Sequence, residues 1–492
     1  MRFPACGAAC LVALFGFAAS AQDVTLTARG GGLELAGTLR AFDGEFYKID
    51  TRYGLLTVDA QGVICDGPGC PGLTAPRAVI RIVGEADPGR RLMPALIRAF
   101  ANFRRLTLQE TGTTTRLTDP QSGQLLAEVS FAPLPPDAAL AALAADQADM
   151  VLATQAPEGL VSHLLGLDAL VPIVAPDHPV TQISTADLAR VLAGQVKNSA
   201  EIGGPDRPLV LHGLPADSGL SLSLSARLGK ALHQGQTDPD LAALAQSVAR
   251  DPWAIAVTAQ SSAGAARVLS LTDSCGYPVP ATRLAVKADD YPLTLAHYLL
   301  TPPRRLPLLA REFVEFLTYP QAQRAIAQAG YVDRLAESGP LLDDGLRLSN
   351  AIRSAGQEIT LQDLQGLTGA MQGSIRLSLS FRFEDGTTRL DAASRDRLAD
   401  LARLIEIGSF KGRDLTLVGF SDGSGAAPAN LALSQDRVDA VAQALGAALP
   451  AASARPSVLA FGEALPIACD ETPAGRRLNR RVEVWLRPLP SK

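Results

Sequence analysis

Short alternating runs fill the first part of the chain. VTLTA, LELAGTLRAF, EFYKIDT and LLTVDA each alternate apolar and polar positions over strand lengths, with GGG, DG and YG as turns. They predict a small β-rich module over residues 22–75. Gly30-Gly31-Gly32 reads as a hairpin turn, because no helix follows to complete a phosphate cradle. From about Ala78 the pattern changes. AVIRIVG is an apolar strand, and ADPGRRLMPALIRAFANF is an amphipathic helix with Asp87 as N-cap and Pro88 at its first position. DMVLAT, LDALVPIVA, PLVLHG, WAIAVTA and TRLAVKA read as further strands. Helical patterns intervene at STADLARVLAG and SLSLSARLGKAL, and REFVEFLTYPQAQRAIAQAG closes the region. Such alternation predicts an α/β domain over residues 76–335, its parallel sheets sandwiched by helices. Residues 336–373 are less apolar and read as a partly helical linker. IRLSLSFRF, AASRDRLADLARLI, DLTLVGF, LALSQDRVDAVAQALGAAL, SVLAFG and RRVEVWLR then predict a compact α+β (βαβαββ) domain at 374–492.

A chain of 492 residues is long enough for two to four domains. Hydrophobic residues make up 47% and charged residues 19%, which excludes wholesale disorder. The net charge of -5 argues against nucleic acid as a partner. Arg2 followed by an apolar run ending in Ala19-Ser20-Ala21 reads as a signal peptide over residues 1–21, cleaved after Ala21. Cys6 and Cys10 lack the apolar lipobox of a lipidation site. Export places the remaining cysteines in an oxidising compartment. There Cys65 and Cys70, around the loop DGPG, read as a local disulfide; no second CxxC or histidine cluster makes them a metal half-site. Cys275 and Cys469 fall in different expected domains, and pairing or two free thiols both stay open.

Catalysis finds little support. His163, His178, His212, His233 and His297 are scattered without HExxH spacing, and ADSGLS is not the GxSxG elbow of hydrolases. A non-enzyme is expected, with no cofactor and no metal.

VGFSDGSGAAPANLALSQDRVDAV, followed by FGEALPIACDETPAGRRLNRRVEVWL, resembles the OmpA-like peptidoglycan-binding domain from about Ile375 to Pro488. Counterparts of the family's blocks GHTD-x-x-G, N-x-x-LS-x-x-RA, G-E-x-x-P and G-R-x-x-NRRVE follow here in order. The resemblance implies a cleft for diaminopimelate of the cell-wall stem peptide. That residue presents an ammonium and a carboxylate, so its site needs one fixed anion and one fixed cation. Carried over, Asp422 faces the ammonium, Arg437 takes the carboxylate, Asn430 caps the helix, and Arg480 or Arg481 lines the cleft. The family's His-Thr before the aspartate is Phe420-Ser421 here. Taken singly, Asp422 could serve an Asx-turn and Arg437 a surface ion pair; the whole ordered pattern selects binding.

A second resemblance, over about Arg77 to Asp333, is to the phosphate-type periplasmic substrate-binding proteins of ABC importers. RIVGEADPGRRLMPALIRAF, ADMVLATQ, PLVLHGLPADSGLS and EFLTYPQAQRAIAQAGYV carry it. It implies two α/β lobes closing on a small oxyanion such as phosphate, held by backbone N–H groups and hydroxyls at helix N-termini. The ligand loops depart from the family. Gly84-Glu85-Ala86-Asp87 replaces Gly-Ser-x-Thr, Thr154-Gln155 replaces Ser-Arg, and Ser218-Gly219-Leu220 replaces Ser-Gly-Thr. Glu85 and Asp87 would turn negative charge on an oxyanion unless Arg90 or Arg91 compensates. Thr154, Gln155, Ser218 and Gly219 stay the candidate cleft contacts, with Glu85, Ala86 and Asp87 at its edge.

Together these features imply a periplasmic binding protein anchored noncovalently to peptidoglycan near the outer membrane, the linker setting the reach of the middle domain. The middle domain is either a solute receptor feeding an ABC transporter or a scaffold for envelope proteins that has lost phosphate.

Overall fold

The structure is a computed structural model that describes residues 24–489, except 29–31, 44, 68, 71–77, 305, 342–344, 357, 385 and 452. The expected leader, with Cys6 and Cys10, lies outside the described residues, as do Gly30 and Gly31. No helix among the described residues is long and apolar enough to cross a membrane.

Two compact units divide the chain, one running to Ala78 and another holding nearly all the rest. The first is a five-stranded antiparallel sheet. Alternate positions Val24, Leu26, Tyr47, Ile49 and Val63 turn to one face and form its core. Cys65 and Cys70 are bridged, their Cα atoms 5.8 Å apart, in the strand Val63–Asp66 and the turn after it.

In the second unit an 11-stranded sheet carries both lobes of the α/β domain. Its directions are mixed, which corrects the expectation of purely parallel sheets. Met150–Ala153 runs parallel to Ala78–Gly84, and Val210–Gly213 parallel to Ala254–Ala259. Between these pairs lies Val161–Val174, a strand of 14 residues. Its first part pairs antiparallel with Thr294–Thr301 and its last part antiparallel with Ala254–Ala259. The chain thus crosses from lobe to lobe along one continuous buried strand. TRLAVKA, expected as a strand, is a helix at Arg283–Lys287; the Thr282 hydroxyl accepts the Ala285 N–H at 3.2 Å and starts the turn locally.

The C-terminal sheet is covered on both faces. Helices Ala392–Glu406 and Ala427–Ala448 pack on the face of Leu377, Leu379, Val482 and Val484. The segment 336–373 is no free spacer. Ser338–Pro340 adds a strand to the sheet, and helices Gly345–Ser354 and Leu361–Met371 bury Ala351, Leu367 and Met371 against Val418, Phe420 and Trp485. A short helix, Pro473–Asn479, also precedes the last strand, Arg481–Pro488.

The C-terminal domain is clamped to the α/β domain. Arg334 forks onto Asp400 at 2.6 and 2.7 Å, Arg376 meets Asp290 at 2.6 Å, and buried Arg382 meets Asp290 at 3.0 Å. Cys275 and Cys469, left open by the sequence, are bridged with Cα atoms 5.5 Å apart. The segment expected as a partly helical linker setting the reach of the middle domain is therefore packed within this unit instead. The bridge closes a sequence separation of 194, for which the chain-entropy model gives up to about 5 kcal/mol. Cys469→Ser, or reductant, should lower the calorimetric melting temperature of the full chain; an unchanged melt would show that the buried ion pairs alone hold the junction.

Candidate functional sites

The interlobe cleft is built at the carboxyl ends of strands, where open α/β sheets bind ligands. Ala78–Gly84 ends in Gly84 at φ +137, with the Leu152 carbonyl where a Cβ would sit. Only glycine can turn the chain so tightly there. Glu85 follows as the N-cap residue of helix Ala86–Arg104 and makes no side-chain cap bond. Asp87 is thus the second helical residue and Pro88 the third, each two positions further into the helix than expected; Pro88 still falls in the first turn, where a missing N–H costs nothing. Asp87 instead accepts from Arg90 at 2.8 Å and from the Leu241 N–H at 3.3 Å.

The Glu85 carboxyl reaches across the cleft. Its Oε1 accepts the Thr154 N–H at 3.1 Å and the Thr154 hydroxyl at 2.9 Å, and that hydroxyl accepts from Ser223 at 2.9 Å. On the opposite lobe Gly219 lies against it: a Cβ there would fall 1.9 Å from Oε1. Burial raises the Glu85 carboxyl to about 7, against the lowering effect of the Thr154 bonds. Ser218 caps helix Gly219–Leu228 by accepting the Ser221 N–H at 3.2 Å. Gln155 is exposed and lines a small pocket with Glu85, Thr154 and Gly219. Ala86 opens its helix at the edge of the main cavity. Neither arginine offsets Glu85: Arg90 pairs with Asp87, while Arg91 donates to Ser261, Ser262 and the Ala329 carbonyl.

The C-terminal cluster lies where the strand Arg413–Phe420 runs into the loop Ser421-Asp422-Gly423-Ser424. Asp422 is buried; its Oδ1 accepts the Ser424 N–H at 3.1 Å, and its Oδ2 accepts from Arg480 at 3.2 Å. The Asx-turn and the cation contact therefore coexist. Burial works against its ionisation, but the Ser424 and Arg480 bonds win and hold it below the usual range. Arg437 projects from helix Ala427–Ala448, donates to the Ser421 hydroxyl at 3.2 Å and packs over the Phe383 ring. Among the described residues it has no carboxylate in ion-pair contact. Burial, and then the neighbouring Arg480 charge, lower its proton affinity.

Two expected roles change. Asn430 does not cap the helix: Ala426 does, with Pro428 in the first turn, and Asn430 is buried one turn in, donating to Glu463. Arg481 does not line the cleft. It faces the opposite way from Arg480 and is fully buried against Glu483, the Leu465 carbonyl and the Phe420 ring. Two carboxylates had been given no role. Glu463 holds Asn430, and Asp470 accepts the Gly423 N–H at 2.9 Å and the Asn479 amide at 2.8 Å. Burial raises both carboxyl groups, and neighbouring carboxylates, Asp422 among them, add to the rise. The block GEALPIACD contains both, but its sequence alone does not reveal that they gather around the DGSG loop.

Among the described histidines, His163 meets the Thr301 hydroxyl at 3.3 Å. His212 meets Asp238 at 3.0 Å, but Ser247 donates to the other Asp238 oxygen at 2.7 Å, so no hydroxyl is placed on the imidazole.

A family model described as OmpA family matches residues 382–480, and one described as PBP superfamily domain matches residues 102–321. The chain is 34% identical over 107 residues to Probable lipoprotein YiaD of Escherichia coli, covering 22% of this chain and 48% of that one. It is 27% identical over 178 residues to phosphate-binding protein PstS of Bacillus subtilis, covering 36% of this chain and 58% of that one. It therefore spans only about half the length of these curated relatives. An ABC-type phosphate transport receptor from Vibrio cholerae aligns at a TM-score of 0.42 and 18% identity, over 51% of this chain and 99% of that one. The chain thus carries a domain matching the PBP superfamily over residues 102–321 and a C-terminal domain matching the OmpA family over residues 382–480.

Proposed function

We propose that this is a non-enzymatic envelope protein held on peptidoglycan by its C-terminal domain, with an interlobe cleft closed to inorganic phosphate. The observation that carries the anchor is Arg437, a half-buried guanidinium with no carboxylate in ion-pair contact among the described residues, whose charge lies near Asp422, which Glu463 and Asp470 neighbour in turn. A zwitterionic amino acid such as diaminopimelate presents a carboxylate for the first and an ammonium for the others. Arg437 and Arg480 also line a cavity of about 1140 Å³ with Arg476, Arg477, Arg227 and Lys230, which suits the further carboxylates of a stem peptide. Co-sedimentation with purified sacculi tests the anchor.

Glu85 supports the second half. Its carboxyl sits against the Thr154 N–H and hydroxyl, the kind of donors that would otherwise serve an oxyanion. A bound phosphate would meet this carboxyl and Asp87 with no free arginine. This favours the scaffold reading over a phosphate receptor feeding an ABC transporter. Titrating the full chain with inorganic phosphate should give no heat and no thermal shift. Micromolar binding would restore the receptor reading.

A further inference from the structure

Between the lobes lies a cavity of about 270 Å³. Its walls are mostly apolar, from Pro133, Leu134, Pro135 and Pro136 on one lobe and Leu214, Pro215 and Leu220 on the other. Its charged lining has one sign: Glu85, Asp87, Asp217 and Asp240, with no lysine or arginine among the described residues that line it. Two of these carboxylates are engaged. Asp87 holds Arg90 and the Leu241 N–H, and Asp240 accepts the Ala243 N–H at 2.9 Å. Asp217 is exposed at the loop before helix Gly219–Leu228. Glu85 spends only Oε1 on Thr154; its Oε2 accepts no hydrogen bond among the described residues.

A separate feature of the same cavity is His297. It is 3% exposed, and neither ring nitrogen has a hydrogen-bond partner. Its ring meets Tyr331, also in the lining, edge-on at 5.2 Å. Burial lowers its pKa to about 4, so it is neutral and offers one acceptor and one donor nitrogen. A buried imidazole without a partner is costly unless something in the cavity completes it.

We propose that this cavity binds a protonated amine carried on a small apolar body, with Glu85 Oε2 as counter-charge and His297 as hydrogen-bond acceptor. The proposal rests on the reading that the cleft rejects phosphate and gives it a ligand class of opposite charge. The proline and leucine walls take the apolar body. Binding also depends on pH. Asp87, Asp217 and Asp240 add negative charge to the cavity. His297 and Tyr331 stay neutral, since burial lowers the first and raises the second. Arg90 is paired with Asp87, and Arg91, bonded to Ser261 and the Ala329 carbonyl, lies over the Tyr331 ring at 5.1 Å and stays cationic throughout this range. Asp168, which faces Tyr331 and Arg91 from outside the lining, is raised by burial to about 6, and Glu85, at about 7, is the carboxyl lining the cavity that titrates near neutrality. Amine affinity should rise about tenfold from pH 6 to pH 8, with proton release on binding at pH 7.

The test is calorimetric titration of the full chain with benzylamine, cadaverine and choline, with benzyl alcohol and benzoate as neutral and anionic counterparts of benzylamine. Benzylamine should bind at least tenfold more tightly than either counterpart. Glu85→Gln, which keeps an acceptor for Thr154, should remove that preference, and His297→Phe should weaken benzylamine while leaving benzyl alcohol nearly unaffected. If Glu85→Gln fails to fold, Asp217→Asn at the exposed loop should still lower amine affinity severalfold. Silence with all three amines, equal binding of benzoate, or unchanged affinity in the folded variants would overturn the proposal. Heat from inorganic phosphate would instead overturn the reading beneath it.

Discussion

Replacing Arg437 by alanine should release the protein from purified sacculi. A charge-assisted, forked bond from guanidinium to carboxylate contributes roughly 1.5–3 kcal/mol, which is tenfold or more in affinity. Arg437 is suited to that test because no ion pair among the described residues uses it: its contacts are the Ser421 hydroxyl and the Phe383 ring. Its alanine variant should therefore melt like the parent while its sedimenting fraction falls at least tenfold. Lysine at this position keeps the charge but loses the planar fork, and should recover only part of the retention. Asp422→Ala should also release the chain, since it removes an anion and frees Arg480 from the 3.2 Å contact that orients it. Free diaminopimelate should compete with sacculi for the parent protein. Wild-type retention of both alanine variants would remove the anchor from the proposed function.

The largest loss of stability should come from Glu483→Gln. This carboxylate is fully buried in the last strand, and three guanidinium groups converge on it: Arg481 at 2.6 Å, Arg376 at 3.2 Å, and Arg347. Trp485 adds its indole N–H at 2.8 Å. Removing this anion leaves Asp290, on Arg376, as the remaining carboxylate beside these buried cations, and breaking a buried pair in this way costs on the order of 3–5 kcal/mol. Whole domains are stable by only about 5–15 kcal/mol, so denaturation should begin far earlier. Trp485 fluorescence reads the event at the site itself. The pH dependence has a definite sign. Burial opposes ionisation of Glu483, but Arg347, Arg376 and Arg481 outweigh it and hold the carboxyl well below its usual range. Its contribution is present above the unfolded carboxylate value of about 4.3 and is lost as pH falls through the depressed folded value. The parent should keep its Trp485 signal through mild acid, and the glutamine variant should lose that acid-dependent component. Equal denaturation midpoints for the two proteins would show that the cluster does not stabilise the domain.

The same residue shows where reading the chain by pattern stops. In RRVEVWLR the alternation places Val482 and Val484 on one face and Arg481, Glu483 and Trp485 on the other, which suggests a polar, solvated face. That face is buried because the segment 336–373 folds over it as two helices. The low apolar content of that segment had suggested a spacer. Leu341, Ala351, Leu367 and Met371, with Leu348, Ile359 and Leu364 packed beside them, seal the sheet over the ion pairs of Glu483.

The local elements were legible: period-2 and period-3.6 patterns placed most strands and helices. The ordered blocks of the C-terminal domain and the two-lobe pattern of the middle domain were legible too, since both are carried by short runs of adjacent residues. What required tertiary structure is whatever joins distant positions. Asp422, Glu463 and Asp470 gather only when the loops at one end of the C-terminal sheet meet, and Arg481 separates from Arg480 only because neighbouring side chains take opposite faces. Cys275 and Cys469 become partners only when two domains dock. Glu85 is the plainest case. Its charge is written in the sequence, but the placement of that charge against Thr154 and Gly219 depends on the closure of two lobes whose residues lie far apart along the chain. Local patterning reports how each segment meets water, and it carries no information on which buried groups will find each other once water is gone.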